Sequence, residues 1–372
     1  MNGAERTAAI FEGGAADKTG FWLGNPTPET KALYCRQLGI DIPAPVPVVP
    51  GRWEEAAAAS IAQGRAEVEL ATALGSDLVW CSPELDPAVW RHPEGKPVFD
   101  CSGGKPQRTL GQPGVFADCE DPAEVDDFDW PDADHLDFTT TLERIDLVRS
   151  KGMAVVGGMW APFFHILCDF LGMENYFIKM HTHPTVVDAI TEKVLAFHLE
   201  ANRRFLDVAA PRLAAFFFGN DLGSQRDLLI SPASFDRFVL PGIRALTAQA
   251  KSCSLKVLLH SCGAVAKIIP RLVKAGIDGL HPLQARAVGM DAESLARDFG
   301  GDLVFVGGVD TQDLLPFHTP SEVKAEVNRL KNVFGDRFIV SPSHEALLPN
   351  VPLENVLAMR DAAADTGREA AK

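Results

Sequence analysis

The fold is most clearly indicated by a short stretch in the second half of the chain, Lys256-Val-Leu-Leu-His-Ser-Cys-Gly263. Its apolar run is typical of a strand that is covered on both faces, as strands of parallel sheets are. A helical pattern over Gly263–Ala275 follows directly. A strand that leads into a helix is the repeating unit of α/β folds, and here the polar residues His260 and Cys262 lie at the strand's carboxyl end.

The same unit occurs along the whole chain. Helical patterns, such as Glu54–Leu74, Ser231–Lys251 and Ser321–Phe334, separate the strand-like runs. Eight parallel strands joined by right-handed helical connections favour closure into a ring. We therefore predict that residues 1–372 form a single α/β domain, a (β/α)8 TIM barrel. The eight runs are Phe21–Gly24, Leu78–Ser82, Ala154–Met159, Leu213–Gly219, Lys256–His260, Gly279–His281, Leu303–Gly307 and Phe338–Ser341.

Two segments interrupt this rhythm, after the second and the third strand. Residues 83–137 are rich in Pro, Gly and Asp and have little helical periodicity, and residues 163–185 are long and aromatic. Insertions at the carboxyl ends of barrel strands commonly form substrate pockets. For 83–137, a pocket wall and simple surface decoration are equally good interpretations, and 163–185 is interpreted as a lid or an interface element.

Composition excludes several classes of protein. The formal net charge of −15 makes nucleic acid or an anionic membrane an unsuitable partner. No apolar run approaches the roughly 18 residues of a membrane span, and the N-terminus has no signal pattern. Seven cysteines without a CxxC pair indicate reduced thiols rather than a disulfide framework. We therefore expect a cytoplasmic enzyme.

Polar side chains cluster where the apolar strands end. In a barrel the carboxyl ends of all strands meet at one mouth, so residues distant in sequence become neighbours there. We predict catalytic roles for Asp221, Asp310 and His344 at this mouth. Side chains expected to bind substrate are Glu84, Trp160, Asn220, His281, Gln284 and Gln312.

His260 and Cys262 are the strongest candidates for metal ligands. Their i, i+2 spacing places both side chains on the same side of a strand. An imidazole and a thiolate suit zinc, although ordinary packing explains an isolated pair equally well. His344, after the neighbouring eighth strand, is the predicted third ligand, and Asp221 or Gln284 would complete or orient the set.

Most of the other histidines are interpreted as structural. His181 and His183 precede a probable helix start at Pro184 and are expected to be exposed. His281 is either a pocket residue or a strand-end cap. The remaining histidines have no ligand-type neighbour at suitable spacing and are His92, His135, His165, His198 and His318.

Four motifs resemble the uroporphyrinogen decarboxylase superfamily. They are Lys256-Val-Leu-Leu-His-Ser-Cys-Gly-Ala, Gly276-Ile-Asp-Gly-Leu-His-Pro-Leu-Gln, Gly307-Gly-Val-Asp-Thr-Gln and Pro349-Asn-Val-Pro-Leu-Glu-Asn-Val, and the likeness is specific from about Gly219 to Ala358. The superfamily comprises the decarboxylase of haem biosynthesis and cobalamin-linked methyltransferases. The resemblance implies a (β/α)8 barrel and a homodimer.

The methyltransferase branch has zinc on an HxC pair after strand five and on a cysteine after strand eight. His260 and Cys262 match the pair, whereas His344 occupies the place of the cysteine. The resemblance thus implies a zinc-dependent methyltransferase of the cobamide-linked type, acting on a small methylated substrate or thiol. Its partner would be a small protein that carries a corrinoid cofactor, and Asp221, Gln284 and Asp310 would orient groups around the metal.

The alternative is a metal-free decarboxylase of a carboxylated, tetrapyrrole-like substrate. Asp221, Glu84 or Asp310 would then stabilise the protonated intermediate, and His344 would bind the substrate. Decarboxylases of the family carry an arginine-rich MRQAGR segment after strand one, where this chain has Gly24-Asn-Pro-Thr-Pro-Glu-Thr. A non-catalytic small-molecule binder is a third hypothesis, but it leaves the convergent ionisable groups without a role.

Overall fold

The computed structural model describes residues 1–44, 46–105 and 109–366 and confirms the predicted (β/α)8 barrel. Within the described residues, neighbouring strands of the sheet pair in parallel, in the order β1-β8-β7-β6-β5-β4-β3-β2. Each strand begins within the run predicted for it or next to it. The strands are β1 (Gly20–Phe21), β2 (Leu78–Cys81), β3 (Ala154–Gly157), β4 (Ala215–Gly219), β5 (Lys256–His260), β6 (Gly279–His281), β7 (Val304–Val309) and β8 (Phe338–Pro342).

Helices follow the strands and form the outer layer. The described residues also contain short 3₁₀ helices and one π-helical turn. The 3₁₀ helices are Pro83–Leu85, Pro122–Asp127, Ala133–His135, Ala210–Arg212 and Ala266–Ile268, and the π turn is Phe235–Val239. The helices are α1 (Gly3–Glu12), α2 (Pro28–Leu38), α3 (Trp53–Ala73), α4 (Thr139–Ser150), α5 (Phe163–Leu171), α6 (Met173–Thr182), α7 (Pro184–Ala209), α8 (Pro232–Ser234), α9 (Leu240–Ser252), α10 (Ile269–Lys274), α11 (Ala292–Phe299), α12 (Leu314–Phe317), α13 (Pro320–Phe334) and α14 (Leu353–Ala364).

The helix predicted over Gly263–Ala275 begins later than expected. Gly263 has a φ of +87°, and a Cβ at this position would lie 2.2 Å from the backbone of Gly223. The residues after Cys262 therefore form a tight loop against Gly223. Regular helix starts at Ile269, which leaves the loop backbone beside the candidate site.

Side chains fill the barrel interior in layers, because alternate residues of each strand point inward. Trp80, Phe217, Leu258 and Val306 belong to one interior cluster, which Phe11 of α1 closes from below. The period of two places His260 above Leu258, at the upper end of this core. The barrel is therefore a packed support for a site at its carboxyl end.

The seam between β1 and β2 is closed by side chains rather than by a regular ladder. Asp77 donates its backbone N–H to the carbonyl of Phe21 at 2.8 Å, and its Oδ2 accepts from the N–H of Phe21 at 2.9 Å. The Oγ of Ser76 accepts from the N–H of Leu23 at 3.2 Å. Arg6 of α1 binds the other oxygen of Asp77. This network joins the first and last strands of the order.

The segment between β2 and α4 is anchored by aromatic packing. Rings of Phe116, Phe128 and Trp130 lie 5.2–5.4 Å from Phe170 of α5. Phe99 lies 5.9 Å from the same ring. The described part of this segment therefore packs on the helix that follows β3.

The charged residues Lys31, Glu67 and Arg144 link α2, α3 and α4 behind the β1–β2 seam. Lys31 Nζ is 2.8 Å from Glu67 Oε1, and Arg144 Nη2 is 2.6 Å from Oε2. Burial by itself would raise the pKa of Glu67, but the charges of Arg144 and Lys31 lower it to about 2. Its negative charge therefore stabilises the folded state above the ordinary carboxyl pKa, and this contribution disappears as the pH falls through about 2.

We expect the Glu67→Gln substitution to lower the free energy of unfolding by on the order of 3 kcal/mol at pH 7, because it leaves two half-buried cations without their carboxylate. The difference between the variant and the wild type should shrink as the pH falls from about 4.5 to about 2. Urea denaturation across this range measures it. Glu69→Gln, an exposed change on the same helix, is the control. A constant difference at all these pH values would contradict the assignment.

Candidate active site

Two histidines from neighbouring strands face each other at the centre of the mouth. His260 of β5 is paired in register with His281 of β6, and their Nδ1 atoms are 3.0 Å apart. Burial lowers the pKa of His281 well below its ordinary value. His281 is therefore neutral at pH 7, and the two facing Nδ1 atoms share one hydrogen bond. This leaves Nε2 of His260 directed to the other side of its ring.

Asp221 and Cys262 lie on that other side. Asp221 Oδ1 is 3.1 Å from His260 Nε2 and accepts the backbone N–H of Cys262 at 2.9 Å. Cys262 Sγ is 3.5 Å from the same Nε2. One nitrogen, one sulfur and one oxygen atom thus lie within 4.8 Å of one another. The structure brings together three of the residues predicted for the site.

The electrostatics of this group favour a cation. Burial would lower the pKa of His260, yet Glu345 and Asp221 raise it. The hydrogen bond and charge of His260 in turn hold the pKa of Asp221 well below its usual range, although burial opposes this. Burial, and then the charges of Asp221 and Glu345, raise the pKa of the Cys262 thiol far above neutrality. Without a further cation, Cys262 is therefore a protonated thiol with little nucleophilic character.

Glu345 forms a second donor group with the two histidines. Its Oε2 is 3.6 Å from His260 Nδ1, and the ligand atoms of His260, His281 and Glu345 also lie within 4.8 Å. This Oε2 and His281 Nε2 are buried atoms that have no hydrogen-bond partner among the described residues. Such atoms at a functional site indicate that a bound group belongs there.

His344 lies beside the cluster, but its ligand atoms are outside both close groups. Its ring centre is 6.5 Å from that of His260. Its Nδ1 accepts the backbone N–H of Ala346 at 3.1 Å. The third potential metal ligand that lies close to His260 and Cys262 is therefore Asp221 and not the predicted His344. His344 remains a predicted third ligand that would have to turn its ring.

Trp160 packs over His260. Its ring is 5.1 Å from that of His260 and 4.7 Å from that of Trp80. The indole occupies the place where Gly219 has no side chain, since a Cβ there would lie 2.3 Å from the Trp160 ring and 2.9 Å from Cβ of His260. Trp160 thus lies at the predicted mouth. Its ring fits there because Gly219 has no side chain.

His165, at the start of α5, is a site residue that the sequence interpretation missed. Its Nε2 is 3.9 Å from Oδ2 of Asp221, and burial lowers its pKa. It approaches the cluster from the segment after β3, which has no ligand motif. A signal was nevertheless present, because the segment Met159–His165 directly follows a strand end.

Three other predicted residues have structural partners. Gln284 Oε1 accepts the N–H of Gly263 at 2.9 Å and thereby holds the loop that carries Cys262. Asn220 is buried, and its amide bonds the backbone of Phe164 and Ala161. Asn220 therefore holds the loop after β3, and its contact with substrate stays a prediction. Asp310 accepts backbone N–H groups of the α12 start and pairs with Arg286.

Glu84 is paired with a histidine that was interpreted as having no suitable neighbour. Its Oε1 is 3.2 Å from Nε2 of the fully buried His198 on α7, and Nδ1 of His198 bonds the carbonyl of Val194 at 2.8 Å. Both ring nitrogens thus face oxygen atoms. The pair connects the turn after β2 to α7.

An outer pocket opens beside the histidine cluster. It has a volume of about 480 Å³, and it extends from Gln284 and His344 outward to Arg286 and Phe317. Gln312, the remaining predicted substrate-binding residue at this mouth, also lines it, as do Asp310, Thr311, Ser343, Leu348 and Asn350. The pocket is large enough for a small substrate next to the donor atoms of the cluster.

A family model described as uroporphyrinogen decarboxylase (URO-D) matches residues 107–366. The chain belongs to this family. This confirms the resemblance that the motifs around His260 and Gly307 indicated.

Two relatives carry methyltransferase names. The chain is similar to a methylated-thiol--coenzyme M methyltransferase of Methanosarcina mazei, with 27% identity over 257 residues, covering 65% of this chain and 62% of that protein. The match thus spans less than two thirds of that relative. A solved methyltransferase structure from Methanosarcina mazei has a TM-score of 0.65, 18% identity and 98% coverage of both chains. This second likeness shows a shared fold.

The described residues contain no helix that is long and apolar enough to cross a membrane. The seven cysteines, all within the described residues, form no disulfide. Both findings agree with the composition of the chain.

Proposed function

We propose that this family member is a zinc-dependent methyltransferase of the cobamide-linked type that acts on a small methylated substrate or thiol. The observation that carries the proposal is the convergence of His260 Nε2, Cys262 Sγ and a carboxylate oxygen of Asp221. The name of the methylated-thiol relative supports the reaction class. The small-molecule partner and the corrinoid-carrying protein are part of the proposal.

The residues present fit zinc. One imidazole, one thiol and one carboxylate form a mixed N/S/O donor set, and three protein ligands leave a position for substrate, as in catalytic zinc sites. A negatively charged surrounding, with Asp221 and Glu345 near His260, offsets the charge of a divalent ion. His344 is close enough to serve as a further ligand after a rotation of its ring.

The protein groups around these ligands fix their orientation. The hydrogen bond between the Nδ1 atoms of His281 and His260 orients the His260 ring, so that its Nε2 faces Cys262 and Asp221. Gln284 and Asp221 hold the backbone N–H groups of Gly263 and Cys262. A bound zinc ion would allow a coordinated thiol to be present as a thiolate at neutral pH. Trp160 covers one side of His260 and limits access of water there.

The outer pocket argues against the decarboxylase alternative. A substrate with several carboxylates requires several basic groups, but Arg286 is the one lysine or arginine among the described residues that line this pocket. Arg286 is already bound to Asp310 and Asp313. Glu84, one of the three carboxylates proposed for the alternative, is paired with His198.

Metal content and methyl transfer test the proposal together. We expect purified protein expressed with zinc to hold about one zinc ion per chain. The zinc-loaded protein should transfer methyl groups from a methylated thiol to a reduced corrinoid, and removal of zinc should stop the reaction. Absence of bound metal after expression with zinc, or turnover of uroporphyrinogen by metal-free protein, would contradict it.

A further inference from the structure

The outer pocket holds one strongly basic side chain, and this side chain is doubly neutralised. Arg286 Nε is 2.9 Å from Asp310 Oδ2, and its Nη2 is 2.8 Å from Asp313 Oδ2. Two carboxylates thus surround one guanidinium. Asp310 also accepts three backbone N–H groups, which fix its position. An anion that entered the pocket would compete with two anchored carboxylates for a single cation.

The inner part of the site adds further negative charge. Asp221 and Glu345 both lie within 4 Å of His260. His344 lines the outer pocket, and its ring centre is 6.5 Å from that of His260. Acidic groups thus lie both beside His260 and at the outer pocket.

Apart from His344, the remaining lining of the outer pocket consists of uncharged side chains. Gln284, Gln312 and Asn350 provide amides, and the side chains of Phe317 and Leu348 are unusually exposed for apolar groups, at 72% and 55%. An exposed aromatic face next to carboxylates is a common way to bind methylated cations. Arg286 is already paired with Asp310 and Asp313, so its guanidinium is not free to bind an anionic ligand.

We infer that this site takes substrates whose non-reacting end is uncharged or positively charged, such as a trimethylammonium group, and discriminates against sulfonates and carboxylates. The inference rests on the proposed function, since it assumes that the reacting end lies at His260 and Cys262 and the other end in the outer pocket. It differs from what the coenzyme M relative would suggest, because coenzyme M is 2-mercaptoethanesulfonate, a short anionic thiol.

A series of three thiols with tetrahedral end groups tests the charge preference. Calorimetric binding to zinc-loaded protein would compare thiocholine, its uncharged isostere 3,3-dimethylbutane-1-thiol, and 2-mercaptoethanesulfonate. None of the three end groups chelates zinc. We expect thiocholine to bind at least about tenfold more tightly than the sulfonate, with a ratio that decreases at high salt.

The Asp313→Asn substitution identifies the source of the preference. Removal of one of the two carboxylates at Arg286 should reduce the ratio of thiocholine to sulfonate affinity by about threefold or more. Differences in the acidity of the thiols cancel in this comparison, because both proteins bind the same ligands. Asp188→Asn is the matched control, since Asp188 is a similarly exposed aspartate paired with Arg237 on the outside of the barrel.

Three outcomes would overturn the inference, and they are distinguishable. Tightest binding of the sulfonate would overturn the charge preference and leave the metal-dependent function intact. If the Asp188→Asn control changed the ratio of thiocholine to sulfonate affinity as much as Asp313→Asn, the preference would not come from the outer pocket. Failure of all three thiols to bind, or identical binding to metal-free protein, would overturn the proposed function and the inference together.

Discussion

Replacement of Cys262 by serine should lower the affinity of the protein for zinc by at least about 100-fold, because loss of partners outside the ligand shell alone typically costs about 10–100-fold. Cys262 is the sulfur donor of the cluster, 3.5 Å from Nε2 of His260. A serine hydroxyl at the same place is a poor ligand for zinc at neutral pH. Methyl transfer should be lost to a similar extent, and competition with a chromogenic chelator measures the affinity.

The control for this substitution is Cys253→Ser. Cys253 directly follows α9, is partly exposed and belongs to neither donor group. Its replacement should leave zinc binding unchanged. Unaltered zinc affinity in Cys262→Ser, in a protein that is folded and binds one ion, would show that the ion lies elsewhere.

A single methyl group at Gly219 should disrupt the site while the barrel still folds. The added Cβ of Gly219→Ala would lie 2.3 Å from the ring of Trp160 and 2.9 Å from Cβ of His260, so both side chains must move. Overpacking of this kind typically costs about 1–3 kcal/mol of stability. Because His260 is both a ligand and the centre of the hydrogen-bond network, we expect the zinc affinity to fall by at least about tenfold.

Gly301→Ala separates the local effect from the general effect of replacing a glycine. A Cβ at Gly301 would meet no atom within 4 Å. Urea denaturation and zinc titration of both variants provide the comparison. Zinc affinity at the wild-type level in Gly219→Ala would show that the contact between Trp160 and His260 does not position the ligand.

The strands and the mouth could be predicted from the sequence because both depend on local patterns. Continuous apolar runs mark strands buried on both faces, and parallel topology brings their polar ends together. The i, i+2 spacing of His260 and Cys262 is preserved in the structure, where Sγ and Nε2 are 3.5 Å apart. The late start of the helix after Cys262 was not predictable in this way, since it depends on the close approach of Gly263 to Gly223.

Contacts between residues distant in sequence account for what the sequence interpretation missed. His165 reaches Asp221 only because α5 folds back over the end of β3. Glu345 belongs to the same strand end as His344, but the carboxylate, rather than the imidazole, forms a close donor group with His260. His198 finds Glu84 across 114 residues of chain. Each pairing depends on tertiary packing, which no spacing rule encodes.

The zinc X-ray absorption spectrum of the zinc-loaded wild-type protein tests the central claim most directly. We expect one sulfur neighbour at about 2.3 Å and the remaining nitrogen and oxygen neighbours at about 2.0–2.2 Å. The sulfur contribution should come from Cys262. A first shell without sulfur, or one with two or more sulfur atoms, would contradict the site formed by His260, Cys262 and Asp221.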